Sequence, residues 1–330
     1  MARYMSYAEQ AAHYFDRPHD TIPDGPVRSP AAWEGRAVAT SDRWRTRLDD
    51  DAVAEIEAAM AHARATGKAL GELSADDFPL PRLGRQIAAW RDTVARGRGF
   101  QVVSGVPVER WTRDEAETFF WCVGLHMGRP GAQNAAGDLL GHVADTGENA
   151  DDPFVRLYRT SSNIAYHCDG ADIVGLLCLN AARHGGASRI VSSVAVFNRL
   201  VERRPDLAAR LFEPLWLDLR NEDPSGALQY VPAVPCRHAA GRLCTFYHSD
   251  YFRSVVRHDD VPAFSDDERE LLNLYEEIAA DPDLYFDMEL APGDIQWLSN
   301  HTNLHARTAY VDDDDPARKR HLLRLWLSVE

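Results

Sequence analysis

The sequence predicts a mainly β protein with flanking helices, a β-sandwich or jelly roll and not a doubly wound α/β sheet. Three observations predict it: short apolar runs rich in β-branched residues recur between turn residues, the few helical stripes do not alternate regularly with those runs, and no repeat of fixed period is present. At 330 residues, with 45% hydrophobic and 26% charged, the chain can bury a sizeable core as one large domain or two ordinary ones.

Residues 1 to about 48 are rich in Pro, Asp and Arg with little periodicity and read as an irregular arm over the surface. Residues 51 to 66 place Val53, Ile56, Ala59 and Met60 on a helical stripe, with acidic residues in the first turn and Gly67 just past the end. Residues 83 to 96 form a second helix with Ile87, Trp90 and Val94 on one face and Gly97 closing it. Residues 99 to 105 then read as a short strand, and 114 to 125 as a helix carrying Phe119, Phe120 and Val123 inward. Gly97 and Gly99 do not complete G-x-G-x-x-G and precede a strand instead of following one, so they are turn glycines and not a dinucleotide loop.

Residues 128 to 153 are rich in Gly, Asn and Asp and are expected to form loops, with Gln133, Asn134 and His142 either reaching a ligand or serving as ordinary turn residues. Residues 154 to 169 are a strand pair or a strand and turn, and the apolar, β-branched run 172 to 179 is a buried strand. A turn over 183 to 188 leads to a strand at 189 to 191 and a helix over 193 to 202 that Pro205 ends. Short strands follow at 215 to 220, 231 to 235, 241 to 247 and 250 to 253. Ser265 and Glu268 make a capping box that opens a helix to about Ala280, and strands at 286 to 290, 294 to 298, 303 to 307 and 322 to 328 complete the set.

The charge, 36 basic against 51 acidic residues for a net of -15, argues against nucleic acid or an anionic membrane as a partner, because both select concentrated positive charge. An anionic small substrate stays open where local arginines focus it. Cys122, Cys168, Cys178, Cys236 and Cys244 form no C-x-x-C pair and are odd in number, which is neither a disulfide framework nor a zinc ribbon, so a reducing cytoplasm is the expected compartment. The first residues lack the organisation of a signal peptide and no apolar run reaches about 18 residues, so neither export nor membrane insertion is expected. Asn300-His301-Thr302 matches a glycosylation sequon, a chance match without a secretory signal. A homo-oligomer is compatible with this composition.

The chemistry centres on Asn163-Ile164-Ala165-Tyr166-His167-Cys168-Asp169-Gly170. On a strand His167 and Asp169 look the same way while Cys168 looks the other. One imidazole nitrogen and one carboxylate oxygen make two thirds of the 2-His-1-carboxylate facial triad that holds ferrous iron and leaves the remaining positions open. A lone H-x-D is as readily a hydrogen-bonded pair, so a second histidine is required. The segment 292 to 305 offers His301 and His305; on a strand running through both, i and i+4 share a face, and spacing does not choose between them. Arg320 and Arg324 show the same spacing among the apolar Leu322, Leu323, Leu325 and Trp326, which favours a buried strand over solvated charges beside Arg318 and Lys319. The aspartates at 312 to 315 read as a solvated turn, and Cys168, Cys178 and His184 as structural residues.

On His167-Cys168-Asp169-Gly170-Ala171-Asp172, Leu176-Leu177-Cys178-Leu179, Gly185-Gly186-Ala187-Ser188, Pro292-Gly293-Asp294, Asn300-His301, Leu304-His305-Ala306-Arg307-Thr308-Ala309-Tyr310 and Arg320-His321-Leu322-Leu323-Arg324-Leu325-Trp326, the sequence resembles the taurine dioxygenase (TauD/TfdA) family of Fe(II)- and 2-oxoglutarate-dependent oxygenases, which includes clavaminate synthase-like enzymes. The motifs keep family order over residues 97 to 328, and the first hundred residues carry almost none of them. The resemblance implies a double-stranded β-helix (jelly roll, cupin-like) and one oxygenase domain over residues 1 to 330, with 1 to 96 as an N-terminal arm and helices and 97 to 330 as the core with helical insertions. It implies iron held by His167, Asp169 and His305, the L-H-x-R context selecting His305 over His301. Arg320 would partner the distal carboxylate of 2-oxoglutarate, Ser188 would assist with a hydroxyl where the taurine enzyme has threonine, Arg324 would lie close to the same site, and Asn163 would touch the primary substrate.

Fe(II), 2-oxoglutarate and O2 are the implied cofactor and cosubstrates. The implied reaction oxidises, by default hydroxylates, an aliphatic carbon of a small molecule such as an amino acid or derivative, with release of succinate and CO2. The physical chemistry agrees: three protein ligands leave two positions for a bidentate 2-oxo acid and one for dioxygen, and the planar fork of an arginine suits the remaining carboxylate. Because Asp169 is present no ligand position is vacated for a halide, which disfavours halogenation. Two readings from other classes stay open, a zinc-dependent hydrolase using the same His/Asp/His site and a non-catalytic β-sandwich binding module.

Overall fold

The computed structural model describes residues 4 to 329 apart from 151, 153, 224 and 225, so Asp151 and Pro153 of the loop expected over 128 to 153 lie outside the described residues. The strands that carry the site are, in chain order, β1 (Phe100–Ser104), β2 (Ile164–His167), β3 (Ile173–Asn180), β4 (Ser188–Ser192), β5 (Tyr285–Met288), β6 (Ile295–Ser299), β7 (Asn303–Arg307) and β8 (His321–Ser328). One sheet runs β1-β6-β3-β8 and the other β5-β4-β7-β2, with every neighbouring pair antiparallel. Successive strands switch sheets at nearly every step, which makes the two sheets a jelly roll, as the sequence predicts. Arg45–Arg47 adds to the β1 edge in parallel, and Arg129–Gly131 and Gly141–Val143 pair along β8, inside the stretch expected as loops.

Alternation along each strand sorts its side chains into separate cores. Ile173, Leu177, Ile295, Trp297, Leu323, Leu325 and Leu327 leave the larger sheet on its outer face and bury against helices Asp50–Ala65, Leu83–Arg96 and Arg113–Met127. Phe100, Val102, Val174, Leu298 and Trp326 turn into the sandwich and meet Ile190 and Met288 of the smaller sheet. Val191 and Leu304 cover the outer face of the smaller sheet against helices Ser193–Arg203 and Asp266–Ala279. A Cβ at Gly175 would lie 2.2 Å from the Trp297 ring, so only glycine lets this fully buried indole cross β3. The inner faces are less apolar than the outer ones, because they supply the site.

Several local expectations are corrected. Residues 7 to 15 are not irregular but a helix, Tyr7–Phe15, opened by a Ser6/Glu9 capping box. Residues 250 to 253 lie in a helix, Ser249–Ser254, not a strand; a four-residue run is too short for periodicity to decide, and burial of Phe252 decides it instead. Pro205 does not simply end a helix: it stands in the first turn of the next one, Pro205–Arg210, where its missing N–H costs nothing. Among the described residues no helix is long and apolar enough to cross a membrane.

Candidate active site

His167 closes β2, Asp169 follows in the turn toward β3, and His305 lies in mid-β7 directly across from His167. Side chains facing each other across an antiparallel pair meet, and the two imidazole centroids are 4.0 Å apart. One ligand atom from each of His167, Asp169 and His305 lies within 4.8 Å of the others, the one such group among the described residues. His301 is elsewhere. The chain turns between β6 and β7, so the two histidines do not share a strand; His301 stacks on Tyr14, and its Nε2 lies 2.8 Å from Asp172 Oδ1.

The surroundings fix each member of the triad. His167 Nδ1–H donates to the Ala165 carbonyl at 2.9 Å, the tautomer that leaves Nε2 free as a ligand. The Asp169 N–H donates to Asn300 Oδ1 at 3.0 Å while Asn300 Nδ2 donates to the Ala171 carbonyl at 2.8 Å, so one fully buried amide, the asparagine of the chance sequon, clamps the turn that carries the carboxylate. Burial pushes the Asp169 carboxyl up, but Arg324, His305, His167 and Trp326 outweigh it and hold it below the usual carboxylate range. Burial, with His167 beside it, pushes the His305 imidazole down to about 3, the neutral form a metal takes. Asp169 Oδ2, 3.8 Å from His305 Nε2, is buried without a hydrogen-bond partner among the described residues, the condition expected of a group that serves a ligand.

A cavity of about 60 Å³ between the sheets is lined by the triad with Ser188, Arg307, Arg320 and Arg324. Arg320 just precedes β8, so alternation turns it and Arg324 inward with Leu322 and Trp326. Arg320 is 5% exposed, no carboxylate hydrogen-bonds to its guanidinium among the described residues, and Nη1 has no partner. Burial lowers its pKa from the ordinary arginine value. Its guanidinium lies 5.0 Å over the Tyr310 ring. At Gly186, φ is +74 and a Cβ would sit 3.0 Å from Arg320 Nε, so glycine supplies both the left-handed backbone and the room. The Arg320 N–H donates to Asp312 Oδ1 at 2.8 Å, so the first aspartate of the run read as a solvated turn anchors this arginine's backbone.

Arg324 is held differently. Its Nε donates to Gln133 Oε1 at 2.7 Å, its Nη1 is 3.5 Å from Asp169 Oδ1, and Gln133 Nε2 donates back to the Arg324 carbonyl at 2.8 Å. The Ser188 hydroxyl donates to Gln296 Oε1 at 2.8 Å. Asn163 is exposed and stands before β2; His305 faces His167 but Arg307 faces Ile164, so β2 carries one extra residue, and this bulge gives Ile164 the place on the cavity wall. A second space, about 170 Å³, opens beside His167 and Asp169 under Tyr7 and Phe15 of the N-terminal helix, with Arg220, His248 and Tyr251 on its walls.

Sequence reasoning did not single out Arg307 as a site residue. It is 5% exposed, donates from Nη2 to the carbonyls of Thr160, at 2.7 Å, and Ser162, and leaves Nε and Nη1 without partners among the described residues. Burial, with Arg320 nearby, pushes its pKa down to about 10. Alternation from His305 puts it on the ligand face of β7, which is how the sequence could have identified it.

Residues 65–326 match the family described as "Taurine catabolism dioxygenase TauD, TfdA family". FR-33289 synthase of Streptomyces rubellomurinus is 32% identical over 311 residues, covering 92% of this chain and 91% of that protein. The taurine hydroxylase-like protein SAT17 of Stachybotrys chartarum is 30% identical over 313 residues, covering 91% and 79%. Among solved structures, an asparagine oxygenase in complex with Fe(II), 2S,3S-3-hydroxyasparagine and succinate superposes with a TM-score of 0.66 at 15% identity, covering 86% of this chain and 93% of that one. The non-heme iron oxygenase OrfP in complex with Fe and alpha-ketoglutaric acid gives 0.66 at 13% identity, covering 87% and 94%. With the jelly roll and the triad, these matches establish that the chain belongs to the TauD/TfdA family of dioxygenases, enzymes that use Fe(II), 2-oxoglutarate and O2.

Proposed function

We propose that His167, Asp169 and His305 hold the Fe(II), that Arg320 takes the distal carboxylate of 2-oxoglutarate with the Ser188 hydroxyl beside it, and that Arg324, braced by Gln133, keeps Asp169 in place. With 2-oxoglutarate and O2, the iron supplies the oxidising power, and succinate and CO2 leave. The protein's part is positioning. The Ala165 carbonyl orients His167, Asn300 orients Asp169, and pairing across β2 and β7 sets His305.

The primary substrate is a small molecule, an amino acid or a derivative, oxidised at an aliphatic carbon in the space beneath the N-terminal helix, with hydroxylation as the default outcome. The hydroxyasparagine bound to asparagine oxygenase and the hydroxyarginine bound to OrfP support that class. Asn163, outside the cavity wall, would meet only a part of the substrate that reaches toward solvent. We read residues 1 to 330 as one oxygenase unit, since Tyr7, Ala11 and Phe15 of the N-terminal helix line the same space as His167 and Asp169. The cytoplasm is the compartment that suits its free cysteines, and self-association is compatible with the fold.

The observation that carries this reading is Arg320: a buried guanidinium whose Nη1 has no partner among the described residues, sharing one cavity with the triad. Zinc hydrolysis does not need such a group, and a binding module does not need the triad. The test is metal analysis of protein made without a histidine tag, followed by anaerobic titration with 2-oxoglutarate. Binding of 2-oxoglutarate that depends on Fe(II) and on Arg320 is expected; a zinc-loaded protein indifferent to 2-oxoglutarate would overturn the reading.

A further inference from the structure

We propose that Arg220 binds an anionic group of the primary substrate, at the far end of the substrate space from the triad, so that the enzyme acts on molecules carrying a carboxylate, sulfonate or phosphonate remote from the carbon it oxidises. The inference rests on the dioxygenase reading above and adds the substrate's charge and orientation to it.

A row of rings leads from the metal site to this residue. Beyond the His305–His167 pair, the rings of His167 and His248 lie 5.1 Å apart, those of His248 and Tyr251 lie 3.8 Å apart, and the Arg220 guanidinium sits 4.7 Å over Tyr251. All but His305 line the same space. Among the described residues no carboxylate pairs with the Arg220 guanidinium. Its Nε donates to the Ser254 hydroxyl at 3.3 Å and its Nη2 to the Asp250 main-chain carbonyl at 3.1 Å, both neutral acceptors. The other cations on these walls are already paired. Arg156 lies 2.7 Å from Glu222, whose carboxylate also accepts the Tyr251 hydroxyl at 2.6 Å, and Arg324 is drawn to Asp169. Asp218, two residues before Arg220, is occupied by Arg257 and by the Ser254 hydroxyl.

The backbone gives a second, independent indication. Arg220 has φ +47 and Asn221 has φ +62, left-handed positions that glycine would fill without strain. A side chain kept at such a position is one whose placement matters more than local comfort, and here it aims a charge into the substrate space. Arginine's planar fork matches the oxygens of a carboxylate, sulfonate or phosphonate alike.

The test is calorimetric titration of the anaerobic holoenzyme, loaded with Fe(II) and 2-oxoglutarate, with 4-aminobutyrate, 3-aminopropanesulfonate and 3-aminopropylphosphonate, and with neutral 4-aminobutyramide as the control. At least one anion is expected to bind more tightly than the amide, and the ranking among the three names the headgroup. Arg220→Gly, which suits the left-handed backbone, is expected to weaken that anion about 10- to 100-fold, the scale of a lost charge-assisted pair, while the melting temperature holds or rises and 2-oxoglutarate binds as before. Arg220→Lys is expected to recover part of the affinity. Anions that bind no better than the amide, or equally well to Arg220→Gly, overturn the inference while leaving the dioxygenase reading intact; a holoenzyme that does not bind 2-oxoglutarate at all removes both.

Discussion

Replacing Arg320 with methionine separates the proposed cosubstrate site from the fold, because the guanidinium is buried and no carboxylate among the described residues bonds to it. In the free protein the substitution keeps much of the side chain's length and removes a desolvated charge, so thermal stability is not expected to fall. With 2-oxoglutarate present the balance reverses. Removing one partner of a buried, charge-assisted pair costs about 2 to 4 kcal/mol, mostly because the other charge is left unmatched, and at about 1.4 kcal/mol per tenfold this weakens 2-oxoglutarate about 30- to 1000-fold. Wild type at a cosubstrate concentration about 100 times its Kd gains about 2.7 kcal/mol of stability, and Arg320→Met at the same concentration is expected to keep less than about 1 kcal/mol of it. Anaerobic calorimetry gives the affinity, and melting with and without 2-oxoglutarate gives the linked stability. Arg320→Lys is expected to recover only part, since an ammonium lacks the fork, and Fe(II) binding without cosubstrate is expected to be unchanged. The reasoning is refuted if Arg320→Met binds 2-oxoglutarate as wild type does, or if Arg324→Ala costs more of that affinity than Arg320→Met.

His305→Ala is expected to abolish iron retention, whereas His301→Ala, which removes one of several partners of the buried Asp172, is expected to keep iron and lower the melting temperature; metal analysis and melting separate the two. Asn300→Ala frees the Asp169 N–H and the Ala171 carbonyl, each costing about 1 to 3 kcal/mol if left unsatisfied, and should show both a lower melting temperature and faster iron release. For Asp218, burial pushes the carboxyl up, but bonds from Arg257, the Arg220 N–H, Ser254 and His258 outweigh burial and hold it well below the usual range. Its folded pKa is therefore depressed, so its stabilising contribution is complete above the unfolded value of about 3.9 and is lost as pH falls through and below it. Asp218→Asn is expected to lower stability at neutral pH and to flatten its decline on the acid side, read from urea unfolding across pH.

Strands with strong alternation were readable because each serves two cores at once. In β8, Leu323, Leu325 and Leu327 face the helices while Leu322, Arg324 and Trp326 face the sandwich, and that pattern survives any detail of pairing. Helix ends marked by glycine or by a capping box were equally plain. What was not readable depends on partners distant in the chain. The bulge in β2 that puts Ile164 in place of Asn163 exists only in register with β7. The separation of His301 from His305 follows from the turn at residues 300 to 302, which moves the chain from one sheet to the other. The Tyr7–Phe15 helix was hidden by the proline- and arginine-rich composition around it, and docks through Tyr14, whose hydroxyl donates to the Asn300 carbonyl at 2.9 Å. Gln133 could be named from sequence only as a polar loop residue; its grip on Arg324 spans 191 residues.

The central claim is that one buried cavity joins an iron-holding triad to an arginine that holds 2-oxoglutarate. The most direct measurement is succinate formed from 2-oxoglutarate by the purified enzyme, with Fe(II) and O2 supplied or withheld, against a panel of amino acids, their derivatives and sulfonates. The account predicts succinate that requires Fe(II) and O2 together, rises with at least one member of the panel, and disappears in both His305→Ala and Arg320→Ala. Succinate formed without O2, or undiminished in either variant, would contradict it.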